Sequence, residues 1–520
     1  MRFVLILILC LSIYAPLSAQ VNIEVMEKDA NGNNTGRILL TIEDEYRLAS
    51  SFFARKEYKS AAVWFTKAAE QGHMEAQYDL GCCYEYGYGV TQDYKIAAQW
   101  VRRSALQEYA IAQYKLGTYY EYGKGVEHSY ESALEWYLKA AAQGNSSAQT
   151  NIGYLFERGL GMPQDPAKAA LMFQGAALQG NRVAQYNLAL CYYRGHGVTQ
   201  NYANAVRWFE KAANRGCIDS QTNLGECYDK GLGVDQNHEI AVQWYQRAAK
   251  RDQINAQAYL GECYLEGRGI EKDYGVAIEW LNKAAEKGHT GAQYKLGECY
   301  NKGVGVSIDH KVAFYWYKKA AEQGHPGAQA NLGYYYKQGL GTNQDLQEAI
   351  YWYTRAASQG EATAQYNLGV CYNNGQGVAH DYEVAAEWFK KAAEQGDADA
   401  QTYVAYYYEN GIGNLPCNYE LAAKWYSKAA EQGNATAQYN LGICYDTGQG
   451  VPKDYKIAAF WFRKAADQGD ADAQFSIGDC YEHGWGVAIN LEEAKSFYLK
   501  AAEQGHKEAK RRLERLNNGI

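Results

Sequence analysis

Two glycines stand directly ahead of a helix start in the segment GQGVAHDYEVAAEWFKKAAEQG, which spans residues 375–396. A glycine-rich turn at a helix N-terminus can hold a phosphate group, because its backbone N–H groups point at the anion. The same spacing is found in a plain turn between packed helices, since glycine adopts backbone conformations that other residues avoid. The rest of the chain must decide between a phosphate site and a hinge.

Twelve cysteines and ten histidines are the other residues that could carry chemistry. In an exported chain the cysteines would indicate disulfides, and cysteine grouped with histidine would indicate a metal site. The sequence contains no S-x-x-K, G-x-S-x-G or H-E-x-x-H segment, so it indicates neither an activated serine nor a zinc protease site. No catalytic residue, metal site or cofactor is predicted.

The elements that position these residues are repeats of 36 residues. One extra residue falls in the segment NGIGNLPCNY, where it lengthens a loop. A degenerate unit over residues 43–75 lacks the glycine pair, as expected of an end cap. The twelve regular units, numbered from their first residue, begin at Ala76, Ala112, Ala148, Ala184, Ser220, Ala256, Ala292, Ala328, Ala364, Ala400, Ala437 and Ala473.

Each unit predicts two helices. Apolar or small residues at positions 1, 5, 8, 9 and 12 form one stripe of a first helix, helix A. Glycines at positions 12 and 14 end it in all twelve units, and an Asp, Asn or Ser at position 18 caps the start of helix B. Gly at position 33 closes helix B in ten units. Eleven of the twelve tryptophans share one register of helix B, which predicts core packing, while Trp485 lies in a hinge loop and is either a surface contact or locally packed.

The repeat indicates whether the glycines, cysteines and histidines form sites for chemistry. Because the glycine pair recurs twelve times without a following Lys-Ser/Thr pair, we interpret it as a hinge, and the acidic residues at position 18 as caps. Eight cysteines occupy position 8 of separate units, too far apart for bridges, so they are predicted to be free and buried. Only Cys82, Cys217 and Cys417 could form a disulfide or a reactive thiol. Four histidines share one turn position and are therefore spaced apart, which argues against a common metal: His73, His289, His325 and His506.

The pattern A-x-x-x-L-G-x-x-Y-x-x-G-x-G-V-x-x-D-Y-x-x-A-x-x-W-F-x-K-A-A-x-x-G resembles the Sel1-like repeat family, a relative of the tetratricopeptide repeats. The unit AQYNLGVCYNNGQGVAHDYEVAAEWFKKAAEQG shows it, and the resemblance covers roughly residues 43 to 516. It implies an all-α, right-handed superhelical solenoid of about 13 helix pairs that serves as an adaptor or scaffold in protein complexes. Cysteine-rich members with paired cysteines in each repeat are associated with penicillin binding and weak β-lactam hydrolysis, which is the alternative function, although that pairing is missing here.

The ends of the chain complete the domain organisation. Residues 1–19 read as a secretory signal, with an apolar stretch shorter than a membrane span and cleavage expected after Ala19. A polar segment, residues 20–42, precedes the capping unit, and residues 509–520 form a polar C-terminal cap after the repeats of residues 76–508. We therefore expect a secreted or periplasmic protein without a membrane span in its mature chain. The net charge of −8 and the lack of a Lys/Arg run argue against nucleic acid as a partner.

The expected partner is a protein or an extended peptide. Positions 3, 4, 7 and 11 of helix A lie off its buried stripe, and there the units stop agreeing. If the array coils with helix A inside, as in related superhelices, this face lines a long inner groove, in which we expect the partner to bind. Amides recur at position 4 and could bond a peptide backbone, while tyrosines at position 7 could act as anchors; the middle units carry Glu226, Glu262 and Glu298 at position 7 instead. The sequence identifies neither the partner nor the oligomeric state. The predicted partner-binding residues are Asn151, Tyr154, Asn187, Asn223, Asn331, Tyr334, Asn367, Tyr406 and Asn440.

Overall fold

The computed structural model describes residues 25–28, 34–38 and 40–517, so the predicted signal segment and its cleavage site lie outside the described residues. The chain divides into two compact units, Met1–Gln253 and Ile254–Ile520, which we call the N unit and the C unit. In each of them consecutive helices pack in A–B pairs, and each B helix packs on the next A helix of its unit. The prediction of an all-α solenoid of about 13 helix pairs is confirmed.

Twelve helices belong to the N unit and fifteen to the C unit. Among the described residues no helix has both the length and the apolar content that crossing a bilayer requires. The N unit contains α1 (Ile42–Ala54), α2 (Tyr58–Glu70), α3 (Met74–Tyr86), α4 (Tyr94–Leu106), α5 (Ala110–Tyr122), α6 (Tyr130–Ala142), α7 (Ser146–Arg158), α8 (Pro166–Leu178), α9 (Arg182–Arg194), α10 (Tyr202–Asn214), α11 (Ile218–Lys230) and α12 (His238–Ala249). The C unit contains α13 (Ile254–Glu266), α14 (Tyr274–Glu286), α15 (Thr290–Lys302), α16 (His310–Glu322), α17 (Pro326–Gln338), α18 (Leu346–Ser358), α19 (Ala362–Asn374), α20 (Tyr382–Glu394), α21 (Ala398–Asn410), α22 (Tyr419–Glu431), α23 (Ala435–Thr447), α24 (Tyr455–Asp467), α25 (Ala471–His483), α26 (Leu491–Glu503) and α27 (Lys507–Asn517).

A short β-hairpin precedes the helices, which the sequence did not predict. Strands β1 (Val25–Lys28) and β2 (Asn34–Ile38) pair antiparallel, with Val25 opposite Ile38. They lie within the segment that we expected to be merely polar. The repeats are therefore all-α, but the described chain as a whole is not.

The glycine pair of each unit is a hinge, as predicted, and its two glycines have different tasks. Gly375 ends α19 in the left-handed conformation with φ +63°. Gly377 is also left-handed, at φ +74°, and a Cβ on it would lie 2.7 Å from the backbone oxygen of Leu346 at the start of α18. The second glycine is thus required because the hinge touches the backbone of the preceding unit.

A third glycine, at position 6 of helix A, lets the two helices of a pair approach closely. A Cβ on Gly369 would lie 2.7 Å from the ring of Phe389, the residue after the tryptophan register in the paired helix α20. Phe389 is completely buried, as is Tyr353 at the same register of the preceding unit. In ten of the twelve regular units the core of the pair is therefore a ring or branched side chain seated on a glycine and packed among alanines, whereas Ala189 and Ala405 take the place of that glycine in the other two.

The tryptophans beside those rings are only partly core residues, which corrects the prediction. Trp64, Trp136 and Trp352 are buried, whereas the other eight in this register are half-buried. In most units a lysine or arginine three residues later lies over the indole, as Lys391 does at 4.0 Å from the ring centroid of Trp388. A cation over an indole face is attracted by the ring quadrupole. The exposed side of the half-buried tryptophans is therefore covered by a cationic side chain and not by core residues.

A pair of glutamines joins consecutive helix pairs. Gln365 at position 2 of α19 donates from Nε2 to the carbonyl oxygen of Ala357 in α18, at 3.2 Å. Its own Oε1 accepts a bond from Gln395 at the end of α20, at 2.8 Å. In the N unit Arg215 replaces the second glutamine, and Oε1 of Gln185 is left buried without a hydrogen-bond partner. These contacts between two glutamines, which we call the glutamine clamp, recur along both units and were not predicted from the sequence.

The two ends of the repeat array close differently. The first pair is joined by only three residues, Arg55–Glu57, so α1 lies closer along the chain to α2 than later A helices lie to their partners. At the other end α27 follows the helix A pattern, with Ala509 fully buried at position 1. The face of α27 that would meet a following helix B carries Lys510, Glu514 and Asn517, all exposed. This face of α27 is therefore polar and open to solvent.

Replacing each hinge glycine by alanine should separate their two tasks. Gly375→Ala should lower the free energy of unfolding by about 1 kcal/mol, the cost of a left-handed conformation for an L residue. Gly377→Ala adds a clash with a backbone oxygen to the same cost, so its loss should exceed about 2 kcal/mol. Urea unfolding, with hydrogen exchange of α18–α20 as the local measure, checks this. Equal losses would show that contact with α18 does not require the second glycine.

Candidate partner-binding face

Repeat positions 4, 7 and 11 form the side of each A helix that lies away from its buried stripe, and we call these positions the A stripe. Because a helix turns about 100° per residue, these positions lie on one side of it. Position 11 is exposed in all twelve regular units, whereas position 7 ranges from half-buried to exposed. The A stripe is therefore open to solvent at position 11 of every regular unit.

Position 3, which we expected to be free, packs against the next repeat instead. The ring of Tyr294 stacks on His325 with centroids 4.3 Å apart, and that of Phe475 stacks on His506 at 4.6 Å. Each histidine stands at the start of the following A helix. Position 3 therefore belongs to the contact between repeats, because the next A helix begins directly above it.

In the N unit the predicted amides differ in their partners. Asn151 donates from Nδ2 to the hydroxyl of Tyr137 at 3.0 Å, whereas Asn223 is half-buried on α11. Asn187 is only 7% exposed, and its Nδ2 has no hydrogen-bond partner. The difference between Asn151 and Asn187 comes from the residue fourteen positions before each of them. That residue is Tyr137 for Asn151, but it is Phe173 for Asn187, and phenylalanine has no hydroxyl to accept a hydrogen bond.

The predicted tyrosines differ in exposure. Tyr154 is half-buried and meets the ring of Phe173 edge-on at 5.5 Å. Tyr334 and Tyr406, in the C unit, are 45% and 47% exposed on the A stripe. Only these last two therefore present an open aromatic surface at a predicted position.

The remaining predicted residues are half-buried amides of the C unit. Asn367 donates to the carbonyl oxygen of Thr363 at 2.9 Å. Asn331 is half-buried on α17, and Asn440 is half-buried on α23. The structure thus places these amides on the A stripe, but it engages Asn367 in a hydrogen bond within its own helix.

Position 10 of helix A was not predicted, although it carries the polar contacts between A helices. Glu85 is 3% exposed, accepts a bond from the hydroxyl of Tyr119 at 3.0 Å and pairs with Lys115 at 2.6 Å. The same contact recurs where Tyr335 donates to Asn301, at 2.8 Å. The signal was present in the sequence: where tyrosine replaces cysteine at position 8, Glu or Asn often stands 34 residues before it.

Charges on the A stripe also differ from the expectation. The predicted acidic residues at position 7 are ion-paired, since Glu226 contacts Lys230 at 2.6 Å and Glu298 contacts Lys302 at 3.1 Å. At position 11 the N unit instead carries three consecutive exposed cations, Arg158, Arg194 and Lys230. This row of cations, which we call the basic row, was not predicted from the sequence.

Comparisons with known proteins agree with this architecture. The Sel1 repeat matches the chain thirteen times in succession, at residues 46–73, 75–109, 110–145, 146–181, 182–217, 218–253, 254–289, 290–325, 326–361, 362–397, 398–434, 435–470 and 471–506. This chain belongs to the Sel1-repeat family. A comparison with curated protein sequences gave no match.

Three solved structures illustrate the relationship of this Sel1-repeat protein. A protective antigen of uropathogenic Escherichia coli is 33% identical over 88% of this chain and 91% of its own, with a TM-score of 0.49. A Sel1 repeat protein from Oxalobacter formigenes is 34% identical over 60% of this chain and 90% of its own, with a TM-score of 0.46. Cysteine-rich protein B of Helicobacter pylori is 26% identical over 25% of this chain and 92% of its own, with a TM-score of 0.21.

The cysteines of the Sel1-repeat protein are packing residues. All eight at position 8 are buried, and no described cysteine forms a disulfide, which confirms the prediction. Burial raises the pKa of Cys83 to about 12 and that of Cys191 to about 11. Cys82 and Cys217 are half-buried, and Cys417 is exposed in the lengthened loop. Since the thiolate is the reactive form, the position 8 thiols are held unreactive.

One group of side chains has the composition of a metal site, namely Asp479, Glu482 and His483. The two carboxylates each accept a bond from the hydroxyl of Tyr498 at 2.6 Å. Arg512 of α27 pairs with both, at 3.7 and 3.4 Å. His483 stacks on Trp485, so that tryptophan, 41% exposed, is at once a surface residue and locally packed. The group is therefore explained as the polar contact that holds the final helix.

The repeated histidines start A helices. His289 Nδ1 accepts the backbone N–H of Ala292 at 3.0 Å, and His325 does the same for Ala328 at 3.1 Å. Other repeats use Asn at this place, as Asn434 does for Ala437. A ring nitrogen accepts a bond only when it carries no proton, so the cap requires the neutral imidazole. Burial lowers the pKa of His289 and of His325, which favours that neutral form.

These caps should make stability depend on pH. The unfolded state binds the proton more readily, because the folded pKa of His289 is lowered, so stability should fall as pH drops below about 6.5 towards that lower folded pKa. His289→Asn keeps a cap that does not titrate and should reduce the loss of melting temperature between pH 7 and pH 5. His380→Asn is the control, because His380 is exposed and caps no helix. A pH dependence that both variants leave unchanged would contradict this role.

Proposed function

We propose that this Sel1-repeat protein is a non-enzymatic scaffold that binds a protein or an extended peptide along its A stripe. Sel1-repeat proteins in general serve as scaffolds for protein–protein interaction. The observation that carries the proposal is the contrast between repeated, filled contacts inside the array and the open aromatic rings of Tyr334 and Tyr406 on it. Half-exposed tyrosines are typical anchors of interfaces, because they bury a large area at small entropic cost.

The chemistry of the described residues supports binding over catalysis. The position 8 thiols are buried in separate repeats, four of the histidines cap A helices and the group at Asp479 is neutralised by arginine. Each of these residue types thus has a structural task in the repeat. No feature of the described residues favours the β-lactam alternative.

The anchor role can be tested with a random peptide library displayed on phage and selected against the full chain. Tyr334→Ala with Tyr406→Ala should weaken binding of the selected peptides by about 2 kcal/mol, roughly thirtyfold, because aromatic anchors dominate an interface. The melting temperature should change little, since both rings lie off the core.

The chain offers a matched control for that experiment. Tyr315 and Tyr351 are 51% and 48% exposed, like the two anchors, but they lie on B helices. Tyr315→Ala with Tyr351→Ala should leave peptide binding unchanged. If the B-helix pair weakens binding as much as the A-stripe pair, the partner does not lie along the A helices.

We also propose that the protein acts outside the cytoplasm, as a secreted or periplasmic scaffold. Support comes from the sequence of residues 1–19 alone. The exported protein should begin at Gln20 by N-terminal sequencing, and Ile6→Lys, which breaks the apolar stretch, should leave it uncleaved in the cytoplasm. A mature protein that retains Met1 would contradict the proposal.

A further inference from the structure

The basic row of the N unit is distinctive among the charges on the A stripe. Arg158 ends α7, Arg194 ends α9 and Lys230 ends α11, so the row follows three successive A helices at one repeat position. The two preceding units carry the uncharged Tyr86 and Tyr122 at this position. Three like charges in register on a chain of net charge −8 form a local feature that the overall charge does not explain.

Two of these cations have no anionic partner among the described residues. Arg158 and Arg194 are exposed, and neither makes a salt bridge or side-chain hydrogen bond with a described residue. The neighbouring Glu157 lies 4.0 Å from His196 instead. Lys230, the third, pairs with Glu226 at 2.6 Å. The row therefore presents at least two guanidinium groups free to bind carboxylates bidentately.

A row of amides runs beside the cations, at position 4 of the same helices. Asn187 of α9 is the middle member, and it is more than nine-tenths buried with its Nδ2 unpartnered. A buried donor without an acceptor costs free energy that an incoming carbonyl oxygen can recover, after a turn of the side chain. This second observation points to a ligand with a peptide backbone.

The spacing of the row selects the shape of that ligand. Packed helices lie about 8–10 Å apart. A chain in the extended polyproline II conformation advances about 3.1 Å per residue and presents every third side chain on the same face. Successive A helices pack together here, since Ala189 of α9 and Leu224 of α11 belong to one core cluster. One repeat therefore matches about three residues of such a peptide.

We propose that α7, α9 and α11 bind an extended protein segment with Asp or Glu at about every third residue. Its carboxylates meet Arg158, Arg194 and Lys230 in turn, and a backbone carbonyl accepts the free N–H of Asn187. This inference rests on the proposed scaffold function and names the chemistry of one partner.

The test uses the full chain and fluorescence anisotropy of labelled nine-residue peptides. One peptide has Glu at its second, fifth and eighth residues among Ala and Ser, and a second has the same composition with its three Glu adjacent. The spaced peptide should bind about tenfold more tightly. Equal affinities would overturn the match of register, and tighter binding of a single-stranded oligonucleotide of equal charge would overturn the choice of a protein partner.

Variants then locate the site. Arg158→Gln and Arg194→Gln should each weaken binding of the spaced peptide about five- to tenfold. Arg207→Gln is the matched control, because Arg207 is an exposed arginine on the B helix α10, and it should change nothing. Unchanged binding by the two A-stripe variants would exclude the row as the site.

Asn187→Leu distinguishes binding from a structural role. Removing a buried unpartnered amide should leave the melting temperature unchanged or higher, because no hydrogen bond within the protein is lost. Binding should nevertheless fall about threefold or more. A fall in melting temperature without a change in binding would show that Asn187 serves the fold.

The result is separable from the scaffold proposal. That proposal is tested at Tyr334 and Tyr406 in the C unit, with peptides of any sequence. If the library peptides still require those tyrosines while the spaced acidic peptide fails to bind, only the inference about the basic row is lost. If neither set of peptides depends on the A stripe, the scaffold proposal fails as well.

Discussion

The close approach of helix backbones is the constraint on which the rest of this structure depends. At position 6 of helix A, which is glycine in ten of the twelve regular units, a Cβ would collide with the side chain that fills the core of the pair, as at Gly369 and Phe389. At position 14 a Cβ would collide with the start of the preceding helix B, as at Gly377 and Leu346. The lack of a Cβ at these two positions sets the distance between the two helices of a pair and the distance between consecutive pairs. The fully buried rings, the glutamine clamp and the caps fit the space that they define.

Because each contact repeats, the stability of the array is expected to be a sum of similar local interfaces. The places where the repeat varies then stand out against that background. Position 8 is cysteine in most units and tyrosine in some others. The hydroxyl of such a tyrosine donates to a residue of the preceding A helix, as Tyr119 donates to Glu85. Such exchanges keep buried polar groups satisfied. Asn187 is different, because Phe173 removes the hydroxyl that would have satisfied its amide, and no other group replaces it.

The A stripe meets fewer of these packing demands, since its position 11 is exposed in every regular unit and its position 7 is half-buried or exposed. It carries open tyrosines in the C unit and a row of cations in the N unit. Both surfaces lie on A helices, whose register is held by glycines, caps and clamps on their other sides. A rigid support of this kind orders side chains at fixed intervals without cost at the time of binding. This is the physical basis for treating the array as a scaffold.

The sequence by itself determined the repeat, the helix pairs, the hinge glycines, the caps at position 18 and the burial of the position 8 thiols. All of these depend on interactions within a few residues or on a period, which a single chain displays. Only the tertiary structure decided which residues of the A stripe are open, because that depends on neighbours about 30 residues away. The stacking of Tyr294 on His325 arises there. Two other features join residues that are nearer in sequence but still depend on how helices pack, namely the half-burial of the tryptophans under their cations and the loss of a partner at Asn187. The β-hairpin before α1 escaped prediction because it stands outside the repeat, where no period reports on structure.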